Sequence, residues 1–412
     1  MDNLAQRLTT LFRPLALSTL TLGLVGQAAA VELHLTESGA GTVLTWTGGR
    51  APHDVVRGNL NGISQGAALI ELGPVTIIEC GSADASTVGN EDPEIPPVGD
   101  PFFYLVRGPH YGFSTTCLER RATPSSDCDT SLSRNSISAC VRWNSDYPVT
   151  VTDIWSGNAT PADCDSGTLE AASREDALRR TNLYRWLVDL PPVVESAAHS
   201  ADCQEAAVIL RALDDLSHDP DPGTACWTTA GRDSAASSNI GAGYSTLSAA
   251  VDGYMRDVGL PGLGHRRWLL FPRFAETGFG FVDGTGGRFR SWMAQQVFGW
   301  GPEPSDTPEF IAYPQEGAFP ADGVLGEWSF QLESADFGES TVTVTRACDG
   351  TEMTVNNASE RDNRFGWHCL AWSVVGATAG EEYVIRIEGV DSPAGGPNEM
   401  LTYEYRVFLL DC

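Results

Sequence analysis

The sequence contains no lysine, since all 26 of its basic residues are arginine. This absence excludes chemistry that needs a lysine amine, such as Schiff-base catalysis, pyridoxal phosphate attachment and the nucleotide-binding P-loop. Positive charge is also scarce, because aspartate and glutamate number 54 and the formal net charge is -28. A protein of this sign repels phosphate backbones and anionic lipid surfaces. The composition therefore argues against nucleic acid as a partner.

Several catalytic and metal-binding motifs are missing. The sequence has no Cys-x-x-Cys, no His-Glu-x-x-His and no EF-hand loop. Zinc clusters, thioredoxin-like redox centres and zincin proteases therefore have no support. Because calcium loops are missing too, we expect the acidic residues to form a solvated surface.

Residues 1–30 have the pattern of a cleaved signal peptide. Arg7 and Arg13 precede an apolar run from Leu15 to Val25, and three alanines close the segment. The run is shorter than the ~20 residues that a membrane span needs, and we expect no span in the mature chain. The expected location is secreted, either extracellular or periplasmic. All ten cysteines follow this segment, and an even number in an exported chain favours disulfides over metal binding.

Alternating apolar residues between Gly and Pro clusters predict β-strands in residues 31–121. The segments are Val43–Trp46, Asp54–Arg57, Val75–Ile78 and Phe102–Val106. With Trp46 and Tyr104 as its buried aromatic pair, this region resembles a fibronectin type III-like β-sandwich. Residues 122–170 contain three cysteines among Ser, Thr, Asp and Pro, and they predict a disulfide-rich linker with one short strand at Val149–Val151.

The hydrophobic period changes from 2 to 3.6 in residues 171–301. Three amphipathic helices are predicted, from about Ser173 to Leu190, from Cys203 to about Leu216, and from Leu247 to Tyr254. Two glycine-flanked strands, Gly278–Val282 and Phe289–Phe298, then predict a hairpin. Helices followed by a hairpin indicate α+β packing.

Strand patterns return in residues 302–412. The segments are Trp328–Leu332, Thr341–Thr345, Tyr383–Ile387 and Tyr403–Val407. They predict a second antiparallel β-sandwich, which resembles an immunoglobulin-like module with Trp328 and Trp372 in its core. Stacking of Trp367 or Trp372 on carbohydrate is the alternative, and core packing is favoured.

Five motifs in the central region carry a resemblance to a known family. They are Asn182–Arg185, Leu216–His218, Ser238–Ile240, Gly264–Trp268 and Gly278–Gly280. In this order they resemble the CAP superfamily of cysteine-rich secretory, antigen-five and pathogenesis-related proteins, specifically its secreted bacterial branch. The resemblance implies a multidomain chain in which a central α+β CAP-type α-β-α sandwich lies between two antiparallel β-sandwich modules. It also implies that His218 and His265 face one cleft.

Two imidazoles in one cleft are suitable ligands for a weakly held divalent ion such as zinc, with Ser238 and Asn239 lining the floor. Many family members place a glutamate just before the Asn-Ile pair, where this chain has Ser238. They place a second glutamate on the third helix, where this chain offers Asp252 or Asp257. Loss of these carboxylates removes the usual general base, so the sequence favours a binding protein over an enzyme.

Two functions therefore stay open. The favoured one is a secreted binding protein whose cleft takes a small apolar ligand or a weakly held divalent metal, with an extracellular surface component as a further partner. The alternative is an extracellular hydrolase that acts on peptide or glycan through the same cleft. In that case His218 and His265 act as acid, base or metal ligands, and Asp252 or Asp257 supplies the carboxylate.

Three disulfides are predicted. Cys203 is expected to pair with Cys226, because the segment between them carries His218 and needs anchoring. Cys80 is expected to pair with Cys117 inside the first sandwich, and Cys369 with Cys412 at the end of the last one. The remaining cysteines are left unassigned.

Overall fold

The computed structural model describes most of the chain after the predicted signal peptide. The described residues are 32–47, 53–62, 64–65, 70–71, 75–82, 85–89, 91–96, 101–107, 136–151, 154–157, 163–260, 262–284, 287–305, 307–361, 364–394 and 399–412. The signal peptide and Cys117 lie outside these ranges, so the predicted pairing of Cys80 with Cys117 is not tested. Within the described ranges, no helix is both long and apolar enough to cross a membrane.

The N-terminal region consists of short antiparallel strands. They are β1 (Glu32–Ser38), β2 (Gly41–Thr47), β3 (His53–Asn59), β4 (Ser64–Gln65), β5 (Ile70–Glu71), β6 (Val75–Ser82) and β7 (Phe102–Arg107). β1 and β2 form a hairpin, while β3 pairs with both β6 and β7. The four strand segments predicted from the alternating pattern are confirmed.

Trp46 and Tyr104 belong to one hydrophobic cluster, as expected. The Tyr104 hydroxyl donates to an Asp92 carboxylate oxygen at 2.7 Å, and Arg57 donates to the other oxygen at 2.6 Å. Burial and the Asp92 charge raise the pKa of Tyr104, so the phenol stays a donor. The hydrogen bonds among Arg57, Asp92 and Tyr104 therefore adjoin the hydrophobic cluster. The fibronectin-like assignment itself stays a prediction.

A helix lies in the region that was expected to be a linker. α1 (Ser136–Asp146) buries Trp143 in the largest hydrophobic cluster of the described residues. The predicted strand at Val149–Val151 is wrong. There the backbone N–H of Thr150 donates to the Asp176 carboxylate at 2.8 Å, which ties the segment to the next helix.

The central region combines helices with short strands. The helices are α2 (Ala171–Trp186), α3 (Ala197–Leu213), α4 (Thr229–Ala236), α5 (Leu247–Arg256) and α6 (Gly264–Leu269). The strands are β8 (Trp155–Ser156), β9 (Thr168–Leu169), β10 (Val194–Glu195), β11 (Ser238–Ala242), β12 (Phe274–Thr277), β13 (Phe279–Asp283), β14 (Ser291–Gln296) and β15 (Gly299–Trp300). The three predicted helices and the β13–β14 hairpin are confirmed. α4 and α6 were not predicted, because they are too short to show a clear period.

Helices pack on both faces of the sheet ordered β11-β14-β13. On one face, Cys203 of α3 shares a cluster with Ile240 and Trp292. On the other face, Phe281 and Met293 pack with the apolar residues of α2 and α5. The alternation of side chains along each strand separates these two sets. The sheet therefore carries one helical layer on each side.

Glycine in the hairpin lets α3 approach the sheet closely. A Cβ on Gly280 would overlap the backbone carbonyl of Cys203, and a Cβ on Gly278 would overlap the backbone at His199 and Ser200. Any side chain at either position would push the helix away. This explains physically why the motif Gly278–Phe279–Gly280 has glycine at alternate positions.

The C-terminal region forms two four-stranded sheets. The first has the order β16 (Ile311–Tyr313), β18 (Trp328–Leu332), β21 (His368–Val375), β20 (Thr354–Glu360), and the second has the order β17 (Gly317–Pro320), β23 (Met400–Leu410), β22 (Glu382–Asp391), β19 (Thr341–Arg346). Trp328 lies opposite Trp372, and the two are 2% and 0% exposed. The prediction that these residues form core is confirmed. Trp367 is buried as well, at 8% exposure.

The central and C-terminal regions share one core. A single hydrophobic cluster contains Tyr184 of α2, Phe274 of β12, and Phe330 and Tyr405 of the C-terminal sheets. The rings of Tyr184 and Tyr313 meet edge to face, with centroids 6.5 Å apart. The C-terminal sheets are therefore packed onto the helices rather than tethered to them.

The loop after α3 is anchored by a disulfide, but to a different cysteine than expected. Cys226 is bonded to Cys164, so the predicted pairing of Cys226 with Cys203 is wrong. Cys203 lies on the buried stripe of α3, with its sulfur 3.4 Å from the Gly278 carbonyl. Burial raises the pKa of this thiol. Because the side chain of Cys203 faces the sheet, it cannot reach Cys226 in the surface loop that follows α3.

The C-terminus is also fixed to an unexpected partner. Cys412 is bonded to Cys140 of α1, so the predicted pairing of Cys412 with Cys369 is wrong. Cys369 is a buried thiol in β21, and burial raises its pKa to about 11. Its strand position directs it to the face of the sheet that packs against Leu263, and Ala371 of the same strand belongs to this cluster.

We expect peptide mapping under non-reducing conditions to recover Cys140 joined to Cys412 and Cys164 joined to Cys226. After denaturation, thiol labelling should modify Cys203 and Cys369 without prior reduction. A Cys369→Ala variant is the matched control, since it should leave both disulfide-linked peptide pairs unchanged. Recovery of a peptide joined through Cys203 or Cys369 would contradict the assignment.

Candidate functional site

Asp257 organises the position of His265. Asp257 ends α5 in the left-handed conformation, with φ of 50°. Its side chain is 0% exposed. One carboxylate oxygen accepts the backbone N–H groups of His265 at 2.9 Å and Arg266 at 3.3 Å, and the other lies 2.8 Å from His265 Nδ1. The carboxylate thus caps the first turn of α6 and holds the imidazole on it.

The hydrogen bond that His265 donates to Asp257 determines the tautomer of the imidazole. A carboxylate only accepts, so Nδ1 carries the proton and Nε2 keeps its lone pair while the ring is neutral. The ring packs near Tyr254, with centroids 5.2 Å apart, and 21% of the side chain is exposed. His265 therefore presents an unprotonated nitrogen from an oriented, partly accessible ring.

His218 has the same arrangement with a different acceptor. α3 ends at Leu213, so His218 lies in the following loop rather than at the end of the helix as predicted. Its Nδ1 donates to the carbonyl of Ala235 at 2.7 Å. That carbonyl belongs to the last turn of α4, where carbonyls lack a helical partner. The residue is exposed, and its Nε2 is again the nitrogen with the free lone pair.

Of the two predicted floor residues, only Asn239 contacts a histidine. Asn239 is 1% exposed and donates from Nδ2 to the backbone carbonyl of His265 at 3.0 Å. Ala235, which holds His218, lies four positions before Asn239. The segment from α4 into β11 therefore contacts both histidines, one at each end. Ser238, 4% exposed, points to the opposite face of the strand, where it lies 3.7 Å from the Cys203 sulfur.

Asp252, one of the two candidate carboxylates, belongs to a different cluster. It forms a salt bridge with Arg180, whose side chain is 3% exposed, and accepts hydrogen bonds from Tyr184 at 2.7 Å and Tyr147 at 3.3 Å. Burial together with the Asp252 charge raises the pKa of both tyrosines, which keeps them as donors. Asp252 thus neutralises a buried arginine between α1, α2 and α5. Of the two candidates, Asp257 contacts a histidine.

Arg266 and Arg267, which follow His265, point away from it. Both are 0% exposed. Arg266 donates to the carbonyls of Leu325 and Glu327, and Arg267 to that of Trp367. Two positive charges next to His265 in the sequence would repel a cation if they faced the imidazole. They do not face it, because both guanidinium groups donate to backbone carbonyls of the C-terminal region.

Arg185 holds the other end of α6. Its Nη1 donates to the carbonyl of Leu269 at 2.8 Å and to that of Phe271 at 3.0 Å. Burial lowers the pKa of Arg185 to about 9. Asn182 in the same motif exchanges two hydrogen bonds with the backbone of Val193. The motif Asn182–Arg185 is therefore structural, and it positions α6 and the loop after α2.

Sequence reasoning did not identify the acceptor for His218 or the orienting role of Asp257. The first is a backbone carbonyl, which leaves no signal in the sequence. Asp257 was one of two alternatives, and its spacing of eight residues before His265 does not suggest a cap by itself. Across the described residues, no three His, Cys, Asp or Glu side chains converge to hold a metal ion.

Comparison with known proteins agrees with the motifs. Residues 178–298 match the family model of the Cysteine-rich secretory protein family, CAP, and the chain therefore contains a domain of the CAP superfamily. One similar solved structure is the 1.5 Å crystal structure of an extracellular protein containing a SCP domain from Bacillus anthracis str. Ames. It is 18% identical over 32% of this chain and 44% of that chain, with a TM-score of 0.24, so the match spans less than half of that protein. A comparison with curated proteins gave no match.

The assignment of Asp252 predicts a stability effect. Asp252→Asn should lower the free energy of unfolding by about 3–5 kcal/mol, because it leaves the buried Arg180 charge without a partner. Urea denaturation measures the change. The control Asp215→Asn alters an exposed carboxylate and should change stability by less than ~0.5 kcal/mol. Equal stability of the two variants would contradict the buried ion pair.

Proposed function

We propose that the protein is a secreted CAP-domain binding protein whose cleft offers His218 and His265 to a weakly held divalent metal, with zinc as the first candidate. The observation that carries the proposal is that both imidazole rings make the same kind of hydrogen bond. Each Nδ1 donates to a fixed oxygen acceptor, at 2.7 Å for His218 and 2.8 Å for His265. Metal-binding histidines usually donate their second ring nitrogen to a carbonyl or carboxylate in this way.

The charge around the cleft also favours a cation. The formal net charge of -28 raises the local concentration of positive ions. The two arginines nearest His265 are directed into the C-terminal sheets. With two imidazoles and no third protein ligand among the described residues, binding should be weak and should leave positions open to water.

A small apolar ligand is the other candidate occupant. The loop next to Asp257 exposes two aliphatic side chains, Val258 at 77% and Leu260 at 47%. They give the edge beside His265 an apolar character, which suits a ligand with an apolar body and one metal-binding or hydrogen-bonding group. We further propose that the two flanking β regions are fibronectin-like and immunoglobulin-like modules that hold the domain at an extracellular surface.

Zinc binding tests the proposal directly. Isothermal titration should show micromolar or weaker binding of zinc to the purified chain, and His218→Ala or His265→Ala should each lower the affinity by about tenfold or more. His368→Ala is the matched control, because this partly exposed histidine lies in the C-terminal sheets and should not change the affinity. If both cleft variants bind zinc as the unaltered chain does, the two-histidine site is wrong.

The role of Asp257 provides a separate prediction. Asp257→Asn keeps the shape of the side chain but weakens the hold on the Nδ1 proton. It should reduce zinc affinity by about 10–100-fold, as loss of an orienting partner usually does. Asp233→Asn, which changes an exposed carboxylate on α4, is the control. Circular dichroism should show that both variants are folded, and unchanged affinity in Asp257→Asn would contradict the orienting role.

An extracellular hydrolase acting on peptide or glycan is the second candidate, and the Asp257–His265 pair is the observation that favours it. Nε2 of an oriented histidine can take a proton from water, and the carboxylate then stabilises the charged ring. Release of labelled fragments from casein or from a chitin oligosaccharide, abolished in His265→Ala, would support this function. No cleavage of either by the zinc-loaded chain would leave the binding function.

A further inference from the structure

We propose that Arg266 is a positioning residue for His265, and that the C-terminal sheets are thereby a required part of the histidine cleft. The inference rests on the proposed function, because it concerns the same cleft. It adds that Leu325, Glu327 and Trp367, which lie beyond the end of the CAP match at 178–298, set the cleft geometry.

One guanidinium group joins three parts of the chain. Arg266 Nε donates to the Met255 carbonyl at the end of α5, at 2.6 Å. Nη1 donates to the Glu327 carbonyl and Nη2 to the Leu325 carbonyl, both at 2.6 Å. The carbonyls of Leu325 and Glu327 come just before β18, which begins at Trp328. The position of α6 is thus tied to the first C-terminal sheet by directed hydrogen bonds.

The acceptors require an arginine. They are backbone carbonyls, and the Ser329 hydroxyl is a further acceptor at 3.3 Å. Each of the three guanidinium nitrogens therefore has its own acceptor. The ring of Tyr313 lies under the group, with its centroid 4.6 Å from the guanidinium carbon. Burial lowers the pKa of Arg266, and the nearby carboxylates of Asp257 and Glu327 oppose that shift. A lysine ammonium has one nitrogen and cannot reach carbonyls in these separate directions.

Arg267 makes a second attachment in a different direction. It donates to the Gly262 carbonyl at 2.9 Å and to the Trp367 carbonyl at 2.5 Å. Phe365, from the same C-terminal segment as Trp367, covers Gly262 and Gly264, where an added Cβ would lie 2.7 and 2.9 Å from its ring. Consecutive residues project about 100° apart around a helix. The two arginines therefore fix both the rotation and the tilt of α6.

The position of His265 depends on that orientation. α6 has six residues, so it has little stability of its own and takes its direction from its contacts. His218 is held independently, by the Ala235 carbonyl. A rotation of α6 would move His265 relative to His218 without moving His218. A shared ion tolerates only small changes in the separation of its ligands.

The test uses the full chain with Arg266→Lys, which retains the charge but loses the fork. We expect zinc affinity to fall by about tenfold or more while circular dichroism shows a folded protein. Arg386→Lys is the matched control, because this arginine makes exposed ion pairs on β22 and should not alter zinc binding. The imidazole nitrogen signals in NMR spectra should shift for His265 and stay in place for His218, an effect that general destabilisation would not produce.

Phe365→Leu gives a second variant in case Arg266→Lys fails to fold. It loosens the contact over α6 without touching the arginines, and it should move the same His265 signals with a smaller loss of affinity. A folded Arg266→Lys or Phe365→Leu protein with unchanged His265 signals and unchanged zinc affinity overturns the inference. If the unaltered chain binds no zinc, the proposed function fails, and the His265 signals still decide whether Arg266 positions the ring.

Discussion

The buried carboxylate of Asp257 is the interaction on which the site depends. It accepts two backbone N–H groups at the start of α6 and the Nδ1 proton of His265, and its side chain has no contact with solvent. A buried charge is stable only when its hydrogen-bonding capacity is used, and here the helix start and the imidazole use it. The same group therefore begins α6, orients the ring and selects the tautomer. Any function that uses Nε2 of His265 depends on the hydrogen bond between the ring and Asp257.

Arginine has an unusual role in this protein. In a chain without lysine, Arg185, Arg266 and Arg267 are fully buried, and each donates to backbone carbonyls. The guanidinium fork connects segments of the chain through their backbone carbonyls. The three residues hold α6 from both ends, so this short helix is part of the interface between the helices and the C-terminal sheets. The large shared core also joins the helices to the C-terminal sheets, since both bury one continuous set of apolar residues.

The sequence predicted the elements with a clear period. The alternating strands around Trp46, Trp328 and Tyr405 and the helices α2, α3 and α5 were all expected, because repeated burial of one face leaves a pattern in the sequence. The helices α4 and α6, with eight and six residues, were missed, since about two turns do not establish a period. α1 was missed because it lies in a region rich in Ser, Thr, Asp and Pro, which was read as a linker. The disulfide partners Cys164 and Cys140 were missed as well, because spacing along the chain does not report which cysteines meet in space.

The sequence alone indicated the family of the central domain, the candidate histidines and the hypothesis of a weakly held divalent metal such as zinc. These three inferences came from sequence motifs, because the motif residues of a family occur in a fixed order along the chain. The tertiary structure decided that Asp257 contacts His265 while Asp252 neutralises Arg180, although the two aspartates are only five positions apart in the sequence. It also decided that the two arginines point toward the C-terminal sheets. Directions of side chains depend on the φ and ψ of single residues, such as Asp257 at the end of α5, and on contacts with residues far away in the sequence.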